Sequence, residues 1–142
     1  MDIPFYLCLM KTANAHKRIS RPDLAAAGYS EGQPKMLHYL RRRGACKQRE
    51  LVEDCGIKPA TVSRLMEGME AAGLIRRTVS ESDKRAVTVE LTPKGEIAEE
   101  ETNRISLAVS EKALRGFSEE ERRAFEGYLL RAYENLTGHA MT

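Results

Sequence analysis

The stretch from Lys58 to Leu91 constrains this chain most, because it reads as a helix running directly into a β-hairpin. Pro59 suits a first helical position, Val62, Leu65, Met66 and Met69 recur at helical spacing, and Gly73 is a stop. The opposite face carries Ala60, Thr61, Ser63 and Arg64. Leu74 to Val79 then leads through the polar turn Ser80-Glu81-Ser82-Asp83-Lys84-Arg85 into the alternating run Ala86 to Leu91. That pattern predicts a two-stranded hairpin with a charged tip. Val87, Val89 and Leu91 alternate with Thr88 and Glu90, so one side should pack on helices and the other should meet water.

A short helix of about Lys47 to Cys55 precedes it, with Leu51, Val52 and Cys55 facing inward, and Gly56-Ile57-Lys58-Pro59 forms the turn between the two. Two helices joined by a tight glycine-containing turn match a helix-turn-helix, and equally an αα-hairpin with no ligand. The hairpin that follows favours the first reading, since helix-turn-helix plus wing is the rarer concatenation. Small hydroxyl side chains with an arginine near a helix N-terminus suit a major groove, where bulk is excluded and arginine can bridge guanine acceptors.

The chain opens with a helix predicted from Pro4 to Ile19. Its first turns, Ile3, Phe5, Tyr6, Leu7, Cys8, Leu9 and Met10, are apolar all round, which calls for cover on several sides, preferably by a second subunit. Arg21-Pro22 should end that helix, since proline disfavours helical geometry in the residue before it. A second helix should start at Ser30, with Gln33 at capping-box spacing, Met36, Leu37 and Leu40 as its stripe, and Arg41-Arg42-Arg43-Gly44 at its end. Those arginines suit either the helix dipole or a phosphate backbone. After the hairpin, Thr92-Pro93 should launch a long helix to about Arg115, with Ile97, Ala98, Ile105, Ala108 and Val109 buried and Glu99-Glu100-Glu101 solvated. Ser118 and Glu121 should cap a last helix whose stripe of Phe125, Tyr128, Leu129, Ala132, Tyr133 and Leu136 also needs a partner surface.

At 142 residues the chain can bury a real core. Its net charge of +2 divides unevenly: residues 28–95 hold thirteen Lys/Arg against nine Asp/Glu, whereas residues 96–142 hold six against ten. A basic middle beside an acidic end fits a nucleic-acid-binding module joined to an assembly region. Cys8, Cys46 and Cys55 form no C-x-x-C pair and suggest neither a disulfide framework nor a zinc knuckle, so a reducing cytoplasm is expected. The apolar run Phe5 to Met10 is too short to span a bilayer, and no secretory leader is evident. No G-x-S-x-G, phosphate-cradling loop or H-E-x-x-H is present, and His16, His38 and His139 lie far apart. An enzyme, a cofactor and a metal site are therefore not expected.

Thr61-Val62-Ser63-Arg64-Leu65, Gly73-Leu74-Ile75-Arg76-Arg77, the Asp83-x-Arg85 wing signature and the junction Leu91-Thr92-Pro93-x-Gly95 together resemble the MarR family (multiple antibiotic resistance regulators) of winged helix-turn-helix proteins. Lys47 stands where the family usually places a Ser or Thr cap. The resemblance implies a mainly α fold with a small β-hairpin wing, divided into an N-terminal dimerisation helix and connector (1–27), a winged helix-turn-helix domain (28–95) and C-terminal dimerisation helices (96–142). It implies a homodimeric, sequence-specific transcriptional regulator, a ligand-responsive repressor, on a pseudo-palindromic double-stranded DNA operator. The DNA-contacting set would be Lys58, Pro59, Ala60, Thr61, Ser63, Arg64, Arg76, Arg77, Asp83, Lys84 and Arg85. Arg85 would enter the minor groove, while Asp83 would pair with Arg64 or Arg77. Phe5, Tyr6, Leu9, Phe125, Tyr128, Leu129 and Tyr133 would build the dimer. A small aromatic or amphipathic effector would wedge between the dimerisation helices and the winged domain, near His16, Lys11 and Tyr39. Some members sense peroxide through a cysteine held by tyrosines, but Cys8 is here expected in the core, with Tyr29 and Tyr39 out of register. The competing reading is a winged-helix module that docks another protein without specific DNA binding.

Overall fold

The computed structural model describes residues 2–83 and 85–142, and among these the order is six helices and three strands. They are α1 (Phe5–Ala26), α2 (Gln33–Arg43), β1 (Cys46–Lys47), α3 (Gln48–Cys55), α4 (Pro59–Ala71), β2 (Ile75–Val79), β3 (Val87–Leu91), α5 (Pro93–Ala113) and α6 (Glu119–Thr137).

The core lies within the central segment. Met36 and Leu37 of α2, Leu51 of α3, and Val62, Met66 and Met69 of α4 are fully buried, together with Val89 of β3. Amphipathic stripes at helical spacing thus meet the inward positions of the wing, the arrangement that removes most apolar surface from water. The wing pairs antiparallel, with Ile75 opposite Leu91 and Val79 opposite Val87. The sheet has a third strand that the sequence did not announce: β1 joins the other edge of β3, with Cys46 opposite Val89, in the order β1-β3-β2. Two residues are too few to carry a readable alternation, so this strand is set by tertiary pairing alone.

α1 does not stop at Arg21. It runs through Pro22, whose missing N–H forfeits a single backbone bond, and continues until Tyr29 N–H donates to the Leu24 carbonyl at 2.9 Å. The extra turn buries Leu24. α2 begins three residues later than expected, at Gln33, because Gly32 takes the cap position with φ 94°. Gln33 Oε1 still accepts from the Ser30 N–H at 3.1 Å, so half of the expected capping box forms ahead of the helix.

α5 is rotated from its expected setting. Its inner face holds Gly95, Ala98, Glu99, Thr102 and Val109, whereas Ile97 and Ala108 are exposed and Ile105 is half-buried. Glu99 is therefore buried, not solvated, because its carboxylate finds His38 of α2. At the helix start, Thr92 accepts from the Gly95 N–H at 3.1 Å, as its cap position predicts. Gly95 lies so close to the chain turn before β2 that a Cβ there would meet the Leu74 carbonyl oxygen at 2.0 Å. α6 carries the expected reciprocal cap, Ser118 N–H to Glu121 and Glu121 N–H to Ser118 Oγ. None of its residues is buried.

Candidate nucleic-acid interface

α4 is fixed from both sides, which decides what its outer face presents. Val62, Leu65, Met66 and Met69 are locked in the core. Its C-terminus is tied to the start of α5, where Lys94 Nζ donates to the Ala72 carbonyl at 2.8 Å and Thr92 donates to that of Gly73. Lys58, Pro59, Ala60, Ser63 and Arg64 consequently stand exposed on one face, with Thr61 half-buried at its margin. Among the described residues Arg64 has no carboxylate within ion-pair distance. An uncommitted guanidinium on a face of small polar residues is free to bind acceptor atoms in a groove.

The hairpin projects beside this face. Its tip is closed by Ser80 N–H to Ala86 O at 3.0 Å and by Asp83, whose carboxylate accepts from the Arg85 N–H at 3.0 Å. Asp83 thus shapes the tip through the backbone and not through Arg64 or Arg77 as expected. The reason lies in where Arg77 points: it turns back from β2 to Glu70 at the end of α4, at 2.9 Å. Arg76 likewise pairs with Glu90 across the two strands at 3.0 Å. The hydrogen bond from Arg77 holds the Glu70 carboxyl below the usual carboxylate range and raises the guanidinium in turn. Arg85 is exposed and has no carboxylate partner among the described residues. Lys84, the remaining expected contact in the wing, lies outside the described residues.

Of the three arginines ending α2, the first and third pair with carboxylates, whereas Arg42 is exposed and has no carboxylate partner among the described residues. Arg41 reaches Glu100 of α5 at 3.5 Å, and Arg43 reaches Glu50 of α3 at 3.1 Å.

Behind α4 lies a cavity of about 710 Å³, walled by α1, α2, α4 and α5. His16, Lys17 and Arg21 line it from α1, Lys35 and His38 from α2, and Thr61 and Arg64 from α4. Of the three residues expected in such a cleft, only His16 is there, with Nε2 3.1 Å from Ser110 Oγ. Lys11 lies outside it, and Tyr39 is buried with its hydroxyl donating to Asp54. Two contacts beside the cavity were not foreseen. His38 Nδ1 meets buried Glu99 at 3.0 Å, and Tyr29 donates to Glu101 at 2.8 Å. Burial, then the Glu101 hydrogen bond, pushes the Tyr29 hydroxyl up to about 12. Both partners are glutamates of the run that looked solvated, so a buried polar face hid them from apolar periodicity.

Cys8 is another correction. It is exposed, not core, and its thiol contacts the Ile3 carbonyl at 3.7 Å, while Tyr29 and Tyr39 are committed elsewhere.

Residues 30–87, the span from just before α2 to the first residue of β3, match the MarR family. A solved structure, transcriptional regulator PA3341, is 31% identical and superposes with a TM-score of 0.80 over 96% of this chain and 100% of its own. The chain belongs to the MarR family. Among curated MarR-like relatives, the transcriptional repressor MdtR of Bacillus subtilis (strain 168) is 31% identical over 94 residues, which is 66% of this chain and 61% of that protein's length. A MarR family regulator from Listeria monocytogenes, solved in complex with a 26mer DNA, shares the fold with a TM-score of 0.85 at 23% identity, covering 96% of this chain and 91% of its own. This is a family of regulators and not of enzymes. Among the described residues no helix is long and apolar enough to cross a membrane.

Proposed function

We propose that this MarR-family chain is a homodimeric, cytoplasmic repressor that binds a pseudo-palindromic operator and is released by a small effector. The observation that carries the reading is the exposed Arg64 on the hydroxyl-bearing face of α4, beside a wing that exposes Arg85, neither of them paired with a carboxylate among the described residues. Each subunit sets α4 into one major-groove half-site and its wing into the flanking minor groove, where a narrow electronegative channel favours a guanidinium. Thr61, Ser63 and Arg64 read bases. Lys58, Pro59 and Ala60 form the edge of α4 that approaches the backbone, where Lys58 supplies salt-dependent affinity. Arg76 and Arg77 hold the wing to β3 and α4, Asp83 shapes its tip, and Lys84 adds charge there. The named repressor among the relatives and the DNA-bound neighbour favour the same reading.

The dimer is supported by apolar surface that one chain leaves uncovered. Phe5, Tyr6 and Leu9 of α1 and Phe125 and Tyr128 of α6 are all exposed, with Leu129 and Tyr133 half-buried beside them. So long a run of exposed aromatic side chains on the terminal helices marks an assembly surface. Residues 1–27 and 96–142 thus assemble the dimer, and 28–95 bind DNA. The effector enters the cavity behind α4, where Thr61 and Arg64 form one wall and Lys17, Lys35 and the two histidines favour an anionic or aromatic molecule. A ligand there shifts DNA affinity only by favouring a position of α4 that the operator does not accept.

Selection from a random duplex-DNA library, run with the wild type and Arg85→Ala at two salt concentrations, tests this directly. The wild type should enrich a two-fold symmetric motif, and the variant should bind it more weakly. No enriched motif, or weak binding that vanishes with salt and ignores the substitution, would move the search to a docking partner.

A further inference from the structure

Gln48, the first residue of α3, reaches the recognition face of α4. Its Nε2 lies 3.5 Å from Ser63 Oγ, while its Oε1 is buried with no hydrogen-bond donor among the described residues. A buried amide oxygen without a donor destabilises a fold, and leucine of similar volume would remove that cost. The position therefore holds a glutamine at the expense of stability, and the group it gains is the contact to Ser63.

The chemistry of that contact is directional. An amide nitrogen only donates, so Ser63 Oγ accepts from Gln48 and its single hydroxyl hydrogen must point elsewhere. Among the described residues the Ser63 hydroxyl makes no other hydrogen bond, and Ser63 is exposed toward the groove side. We propose that Gln48 is a positioning residue for base specificity, which orients the Ser63 hydroxyl so that its hydrogen is free to donate. Ser63 so held favours a base edge offering an acceptor in the major groove, purine N7, guanine O6 or thymine O4, since its one hydrogen is directed away from Gln48. This inference rests on α4 being the recognition helix.

The test is library selection with the full-length wild type, Gln48→Leu, Ser63→Ala, the double variant and Gln48→Glu, alongside their melting temperatures. Gln48→Leu should melt at or above the wild-type temperature and still enrich the symmetric motif, yet flatten one position in each half-site from a preference on the order of tenfold to about twofold. Ser63→Ala should flatten the same position, and the double variant should add nothing further. Gln48→Glu should turn the preference toward amino-bearing edges, because a carboxylate accepts the hydrogen bond of the serine hydroxyl and leaves only the lone pairs of Oγ facing the groove. A wild-type motif that Gln48→Leu leaves unchanged at every position overturns the inference alone. So does a Gln48→Leu chain that melts well below the wild type, since the glutamine would then be structural. A wild type that enriches no motif overturns the DNA reading, and the inference with it.

Discussion

The arginines around α4 and the wing divide by their partners, and the division sets what each should do when removed. Arg77 is committed to Glu70, so Arg77→Ala should lower the melting temperature measurably while leaving the salt dependence of DNA binding unchanged. The pH dependence has a definite sign. Arg77 depresses the Glu70 carboxyl in the folded chain, so the pair stabilises at and above the ordinary carboxylate range and is lost as pH falls through the lower folded value. Melting curves from neutral pH down to about pH 3 should show the wild type losing its margin over Arg77→Ala, a range set by the ordinary carboxylate value. A constant gap between the two would contradict the assignment. The cysteines give a second test at this scale. Cys46 and Cys55 are buried, and burial first, then nearby Glu50, pushes the Cys46 thiol up to about 11, so neither should react with a thiol reagent at neutral pH faster than the chain unfolds. Rapid labelling of either in the folded protein would contradict the packing between β1 and α3.

Gly95 shows how two local effects compete at the scale of an element. Alanine in a helix is favoured over glycine by about 1 kcal/mol, but here its Cβ would fall 2.0 Å from a backbone oxygen of Leu74 that cannot swing aside. The clash should win, and Gly95→Ala should cost roughly 1–3 kcal/mol in urea unfolding, as overpacking does. A stabilised variant would show that the α4–α5 junction gives way. Much of the architecture was legible in the sequence, because α3, α4, the wing and the Ser118–Glu121 cap each carry a local signal that tertiary packing reinforces. What was not legible had a common physical origin. Pro22 argues locally for a helix end, yet the turn beyond it buries Leu24. β1 is too short to pattern. The inner face of α5 is set by Glu99 and Thr102 as much as by Ala98 and Val109, so reading apolar residues alone rotated the helix away from its true setting. The same blindness hid the His38–Glu99 and Tyr29–Glu101 contacts beside the cavity, and Gln48 beside Ser63.

The whole molecule is unbalanced as a single chain: its core gathers between α2 and the start of α5, while α6 buries nothing and α1 little. Aromatic faces on both terminal helices should therefore close on a second copy, and the melting temperature should rise with protein concentration. Phe125→Asp with Tyr128→Asp should yield a monomer by sedimentation and weaken operator binding by a hundredfold or more, on the order expected when two linked half-sites become one. A monomeric wild type would contradict the assembly. The most direct measurement is a hydroxyl-radical footprint of the wild type and Arg85→Ala on the selected operator. The expected result is two symmetric protected blocks with centres about one helical turn apart, flanked by minor-groove protections that disappear in Arg85→Ala while the central blocks remain. A single unsymmetrical block, or flanking protections indifferent to Arg85, would contradict the account of two recognition helices and two wings on one site.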